Sequence, residues 1–417
     1  MNNISENESP KTEFQKADYA TARQAAGFDW DVSGSQDALR ELTGTPIREF
    51  NLNPKACIEA YRKGRPLHRE FFGPDVGLPG LLTPAVSYGH INGLGAELIF
   101  PEDGEVAHTP LYGSLNEGIA ALNKPVDFAR AGMTPFFIDF WRQMQAAFPS
   151  ESVGFYFKHE GPITTAWALR GEGFFTDIYD DPPAAKEFLR LTTASIIEFS
   201  RFQSDLLKRP AVNPSGAGLC DDIASMVHPD MWPEFVLPYW EQYFQGLTTG
   251  TRGAHVEDLR PAQLKYLEEI GLVTYDPSIS PKLNPRIISA GCRVPFTWRL
   301  GSFHYRGLTL REVEDFVFQA AADGATGITT GTEANLCSDA AVSKIHAFIG
   351  AAKEAKRMVN SGASRTDVGQ RVSPEGKVKF WSKWSGFKEP THEDAKALQE
   401  AAWKAVQETN PDLKPWK

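Results

Sequence analysis

Past residue 150 short β-type runs alternate with long amphipathic helical patterns, and this alternation limits the fold more than any other feature of the chain. The runs at 152–157, 252–256, 272–276, 286–289 and 326–331 read as strands from their apolar and β-branched content and their turn-like borders. Between them lie helical stretches that begin PPAAKEFLRL, PDMWPEFVLPYW, RPAQLKYLEEIG and TLREVEDFVFQ. In the last of these, Thr309 and Glu312 have the spacing of a capping box, and Leu310, Val313, Phe316, Val317, Ala320 and Ala321 recur at helical spacing. Strands alternating with helices imply a parallel α/β sheet, and this many units predicts a (β/α)8 TIM barrel. A doubly wound open sheet is the structural alternative, but no GxGxxG follows an early strand to support a dinucleotide site.

The flanks read differently. Residues 1–44 form an N-terminal extension whose polar start reads as a frayed terminus, with a helix from Gln36 behind Ser35 as cap. A second helix is expected behind Asn53 and Pro54, and a short extended segment at 97–100. The barrel is expected over 45–360, and residues 361–417 read as a linker and an aromatic, basic extension with a helix near Thr391. That extension either covers the barrel or mediates self-association, so a homodimer is compatible with it.

Charge and cysteine usage exclude several classes. With 43 basic and 53 acidic residues the net charge is −10, and no Lys/Arg-rich run offers a footprint for nucleic acid or an anionic membrane. The four cysteines show no CxxC or close pairing, so neither a zinc ribbon nor a disulfide lattice is signalled, and a reducing, cytoplasmic setting is expected. The N-terminus lacks the apolar stretch of a signal peptide, and no window approaches the ~18 apolar residues of a membrane span.

Candidate chemistry sits where the strands should end. His255 and Glu257 are two apart at a strand end and so share a face, where they can hold a divalent metal or relay a proton. The plainer reading has His255 bonding a carbonyl while Glu257 opens a helix. Glu333 follows the last β-like run, though it could equally cap the next helix, a role that Asp339 also suits. His90 lies near another predicted strand end, and of the adjacent Asp221 and Asp222 at most one can face a site. Trp167, Trp298 and Phe303 would suit an aromatic substrate and suit core packing equally. No GxSxG, HExxH, P-loop, kinase or cobalamin-cradling DxHxxG pattern appears.

The stretches GPITTAWALRG, DIYDDPPAAKEFL, DDIASMVHPDMWPEFVLPY and HVEDLRPAQLKYLEEIGL resemble the uroporphyrinogen decarboxylase superfamily, over about residues 45–355. That superfamily holds haem-pathway decarboxylases and corrinoid-linked methyltransferases on (β/α)8 barrels, so the resemblance implies the same fold here. The RQAGRY and SDIL segments of true uroporphyrinogen decarboxylases do not occur, and with SDIL goes the aspartate that binds the pyrrole nitrogens. The methyltransferase branch is the more similar. Its D-x-x-A-S pattern is similar to Asp221/Asp222-Ile223-Ala224-Ser225, and its EALG segment resembles the run from His90 to Gly95.

Methyl-thiol members of that branch bind zinc through His-x-Cys and a later Cys. Here the corresponding places read His255-Val256-Glu257 and Thr330-Gly331-Thr332-Glu333, with Cys337 competing for the last position. Carboxylates in place of thiolates would make a harder Lewis acid, suited to an oxygen or nitrogen donor. The resemblance therefore implies a zinc-dependent methyltransferase that demethylates an O-methyl or N-methyl substrate and passes the methyl group to a corrinoid carried by a partner protein. His255, Glu257 and Glu333 are its expected zinc ligands, His90 or Asp222 its proton donor, and Trp167, Arg170 and Trp298 its substrate contacts. One alternative is a cofactor-free decarboxylase of a tetrapyrrole or small acid, with Arg170, Arg299 or Arg306 on the carboxylates. A third is a non-catalytic tetrapyrrole or corrinoid binder.

Overall fold

The computed structural model describes residues 17–102, 104–333 and 336–381. Local sequence signals set many of the helix starts. Ser35 accepts from the Ala38 N–H ahead of the helix Gln36–Thr43, and Asn53 accepts from the Lys55 N–H ahead of Pro54–Phe72. Asp181 starts the long helix Pro182–Leu206 in the same way, and the Thr309/Glu312 capping box opens Leu310–Ala322. The last long helix, Asp339–Asn360, is capped by Ser338, one residue before the expected Asp339. The stretch after it, linker-like in composition, carries a short helix Arg365–Gly369, and Arg365 donates to the carbonyls of Ala321 and Ala325. The helix expected near Thr391 lies outside the described residues.

Among the described residues eight strands form three small sheets: β1 (Asp29–Gly34), β2 (Leu98–Ile99), β3 (Ala107–His108), β4 (Gly216–Cys220), β5 (Thr251–His255), β6 (Thr274–Asp276), β7 (Thr297–Leu300) and β8 (Gly327–Thr332). The orders are β1-β8-β7 and β4-β5-β6, both parallel, with β2 and β3 as a separate antiparallel pair. The closed (β/α)8 barrel expected from the alternation is therefore not what forms. The fold is α/β with sheets of three, two and three strands, none closed on itself.

The reason lies in the residues at the seams. Between β6 and β7 a single bridge, Tyr275 to Phe296, is made beside Pro295, which has no N–H to extend a ladder. The segment at 77–86 carries Pro79, Pro84, Gly77 and Gly80, and among the described residues its strand pairing is limited to the isolated bridges Ser33 to Gly77, Leu82 to Gly154 and Val86 to Phe157. The run 152–157, expected as a strand, pairs in strand fashion only at Gly154 and Phe157 among the described residues. The run 286–289, also expected as a strand, lies in the helix Pro285–Gly291, because Asn284 accepts from the Ile287 N–H and Pro285 occupies the first turn. In the other direction, β1 lies in the stretch read as an N-terminal addition, yet pairs along its whole length with β8.

The main core packs Val32, Leu219, Ala254, Tyr275, Trp298 and Ile328 of the strands against Ile196, Trp240, Val313, Phe316, Phe348 and Ile349 of the helices. On β4, β5 and β6 the alternate residues turn the other way, toward a cavity. No helix of the described residues is long and apolar enough to cross a membrane.

Candidate metal centre

Register builds the centre. Cys220, His255 and Asp276 are direct neighbours across the carboxyl ends of β4, β5 and β6, and their side chains share the cavity face. The row beneath them is Gly218, Gly253 and Thr274, and these small residues leave an open space of about 610 Å³ under the functional row. Above it a cavity of about 830 Å³ opens between Tyr88, Tyr156, Trp167, Ile223, Glu160 and Glu105.

His255 is held from behind. Its Nδ1 lies 2.9 Å from Asp276 Oδ2, and that carboxylate is fixed by Arg299 at 2.9 Å and by the Ser278 N–H at 2.8 Å. With Nδ1–H donated to a carboxylate, Nε2 is presented to the cavity, 3.6 Å from Glu257 Oε1 and 3.8 Å from Asp222 Oδ1. Asp222 is placed in turn by the Glu257 N–H, at 2.8 Å. One ligand atom each of Cys220, Asp222 and His255 lie within 4.8 Å of one another, close enough to converge on one ion.

The charges at this place are unbalanced. Burial would discharge His255, but the bonds to Asp276 and Glu257 and the Asp222 charge push its pKa up to about 10. Burial, then the neighbouring Asp222, raise Glu160 to about 7, and burial also raises Asp222. Burial with the Glu160, Asp222 and Asp221 carboxylates pushes the Cys220 thiol far above its ordinary range. A thiol, an imidazole and several carboxylates crowded in this way gain from a divalent cation, and the donors present fit one.

Asp221, beside Asp222, does different work. It is fully buried and accepts from the Ile163 and Thr164 N–H groups at 3.2 and 2.7 Å and from Trp240 Nε1 at 2.6 Å, so it anchors the start of the helix Pro162–Arg170.

The structure brings Asp222, His255 and Glu257 together at the cavity, and Trp167 lines it. His90 lies elsewhere. It is completely buried between Phe128 and Phe199, 2.9 Å from Ser195 Oγ, and burial lowers its pKa to about 3. Glu333 accepts from Ser302, outside the three-residue cluster, while Cys337 interacts with Glu41. Arg170 is paired with Asp177 at 2.7 Å, Trp298 is in the core, and Arg306 is exposed on the short helix His304–Gly307. The sequence reading passed over Cys220, Asp276 and Glu160. The first two end strands beside His255, so the rule that polar strand ends carry chemistry would have found them once the register was known.

Two predictions follow from this geometry. Asp276→Asn removes the charge that fixes the His255 ring, and is expected to weaken divalent-metal affinity about 10- to 100-fold, read by competition with a chromogenic chelator. For Glu160, the folded-state pKa of about 7 exceeds the unfolded value of ~4.3. Its contribution to stability is therefore present at low pH and lost as pH rises through about 7. In metal-free protein, Glu160→Gln should flatten the fall in urea stability between about pH 4 and 7; an unchanged slope would remove Glu160 as its source.

No protein of curated function matches the chain in sequence. Among solved structures it is similar to a methyltransferase from Methanosarcina mazei, 14% identical with a TM-score of 0.58, over 80% of this chain and 96% of that one. At that identity the likeness speaks for the fold alone. The sequence profile of Uroporphyrinogen decarboxylase (URO-D) matches residues 75–284, which contain β4, β5, β6 and every residue of the cluster. The chain belongs to the uroporphyrinogen decarboxylase (URO-D) family.

Proposed function

We propose that the protein is a metal-dependent enzyme that removes a methyl group from oxygen, or from nitrogen, and passes it to a corrinoid on a separate protein. The observation that carries this reading is the convergence of Cys220, Asp222 and His255 on one point at the cavity. Those three residues would hold the ion, and the mixed sulfur, oxygen and nitrogen set suits zinc. Bound there, the metal supplies Lewis acidity toward the leaving heteroatom.

The chain's own groups do the rest. Asp276, braced by Arg299, keeps His255 Nε2 turned to the cavity. Glu160, raised to about 7, is available to give a proton to the leaving oxygen at neutral pH. Tyr88, Tyr156 and Trp167 provide aromatic faces for an uncharged ring. The lining carries Asp37, Glu105, Glu160, Asp222 and Glu257, while Arg40 is paired with Asp37 at 2.6 Å, so the mouth favours a neutral or cationic substrate over a polyanion.

The family match speaks more directly for a second reading, decarboxylation of an acid. Against it, the arginines expected to hold carboxylates are otherwise placed: Arg170 and Arg299 are committed to Asp177 and Asp276, and Arg306 is on the surface. One experiment separates the two. Zinc-loaded protein is incubated with a methoxylated aromatic compound and Co(I) cobalamin, and in parallel with uroporphyrinogen. Methylcobalamin and free phenol with no loss of carboxylate are expected. Carbon dioxide release without methyl transfer would overturn the first reading in favour of the second.

A further inference from the structure

The seam between the segment 153–158 and β4 has no strand ladder among the described residues, and its upper end is tied by the Gly161 N–H to Cys220 carbonyl bond and by Glu160 on the Cys220 side chain. Below that bond lies a cavity of about 260 Å³, which shares Lys158, His159 and Gly218 as lining with the space under the metal centre. Val153, Phe155 and Phe157 are buried in the core, so alternation along the extended segment turns Tyr156, Lys158 and Glu160 the other way. Arg209 lines the same cavity from beyond the end of the long helix Pro182–Leu206, and Ser204 and Asn213 add a hydroxyl and an amide.

Two cations thus share a pocket, and neither the Lys158 ammonium nor the Arg209 guanidinium has a side-chain partner among the described residues. Buried and half-buried arginines elsewhere in the fold are paired: Arg252 with Glu241 at 2.5 Å, Arg299 with Asp276 at 2.9 Å and Arg170 with Asp177 at 2.7 Å. Burial, and then the Arg209 charge beside it, lower the Lys158 pKa, which is the mark of a cation held without a counter-charge. In a chain with 53 acidic side chains, the lack of one here leaves the place open for an anion from outside.

We propose that this seam is an oxyanion site, in which Lys158 and Arg209 bind a carboxylate or phosphate group through charge-assisted hydrogen bonds. The seam provides its entrance, because no ladder closes it. The site is separate from the metal centre, and its test does not depend on the proposed reaction.

The full chain, freed of metal by chelation, is titrated calorimetrically at low ionic strength with inorganic phosphate and, separately, with benzoate. Saturable binding of at least one is expected, weakening as sodium chloride is added, and the stronger of the two identifies the source of the group. Lys158→Met and Arg209→Met should each weaken it tenfold or more, with circular dichroism showing native folding. Arg209 is exposed, so its variant carries the test if Lys158→Met does not fold. No binding of either anion by the wild type, or affinity unchanged in the folded variants, would overturn the proposal.

Discussion

Replacing Cys220 or His255 with alanine is expected to lower affinity for zinc by more than about 100-fold, whereas Glu333→Gln should leave it within about threefold. Loss of an oriented supporting residue already costs 10- to 100-fold in known sites, and loss of a direct ligand costs more. A factor of about 100 corresponds to ~2.8 kcal/mol. The contrast rests on placement: Cys220, Asp222 and His255 present ligand atoms to one point, while Glu333 accepts from Ser302 away from it. Binding must also displace protons from His255 and Cys220, both of which hold them tightly in the metal-free protein. Affinity should therefore climb with pH across the neutral range. Competition titrations with a chelator at several pH values read both effects, and a Glu333 variant that loses zinc while the Cys220 variant keeps it would refute the assignment.

The second large effect concerns stability. Asp221→Ala should cost about 3–5 kcal/mol, because it strips the shared acceptor from the Ile163 and Thr164 N–H groups and from the Trp240 indole, all deep in the core. Asp222→Asn, one residue along, should leave the urea midpoint unchanged or raise it in metal-free protein, since it relieves a crowded carboxylate near Glu160 and Glu257. The same pair of variants should behave oppositely in metal binding, where Asp222→Asn is the damaging change. If both aspartates destabilise equally, the division of labour between them is wrong.

What could be read from the sequence were the features that local chemistry decides. The caps at Ser35, Asn53 and Thr309, the helix Pro182–Leu206 and the shared face of His255 and Glu257 depend on residues near one another in the chain. Closure of the sheet did not follow from the alternation, because it depends on whether Pro295 and the Pro/Gly segment at 77–86 can supply ladder bonds to distant neighbours. The centre was half legible for the same reason. Comparing His-x-Glu with His-x-Cys suggested that sulfur had left the site, while Cys220 stands directly across β4 and β5 from His255, a relation that only the strand register creates. His90 was misjudged on burial: a histidine beside a strand end can as easily face Phe128 and Phe199 as a cavity.

The row of Gly218, Gly253 and Thr274 has a consequence for how this scaffold could be altered. A Cβ added at Gly218 would meet nothing within 4 Å, so a methyl group fits there without displacing any ligand of the cluster. Successive strand residues on one face are about 6.6 Å apart, so the Gly218 position works as a depth stop set at its lowest notch. Alanine, valine and leucine at that one position would give a graded series of shallower pockets beneath an unchanged centre, and the longest ligand each variant still accepts would measure how deep the natural one sits.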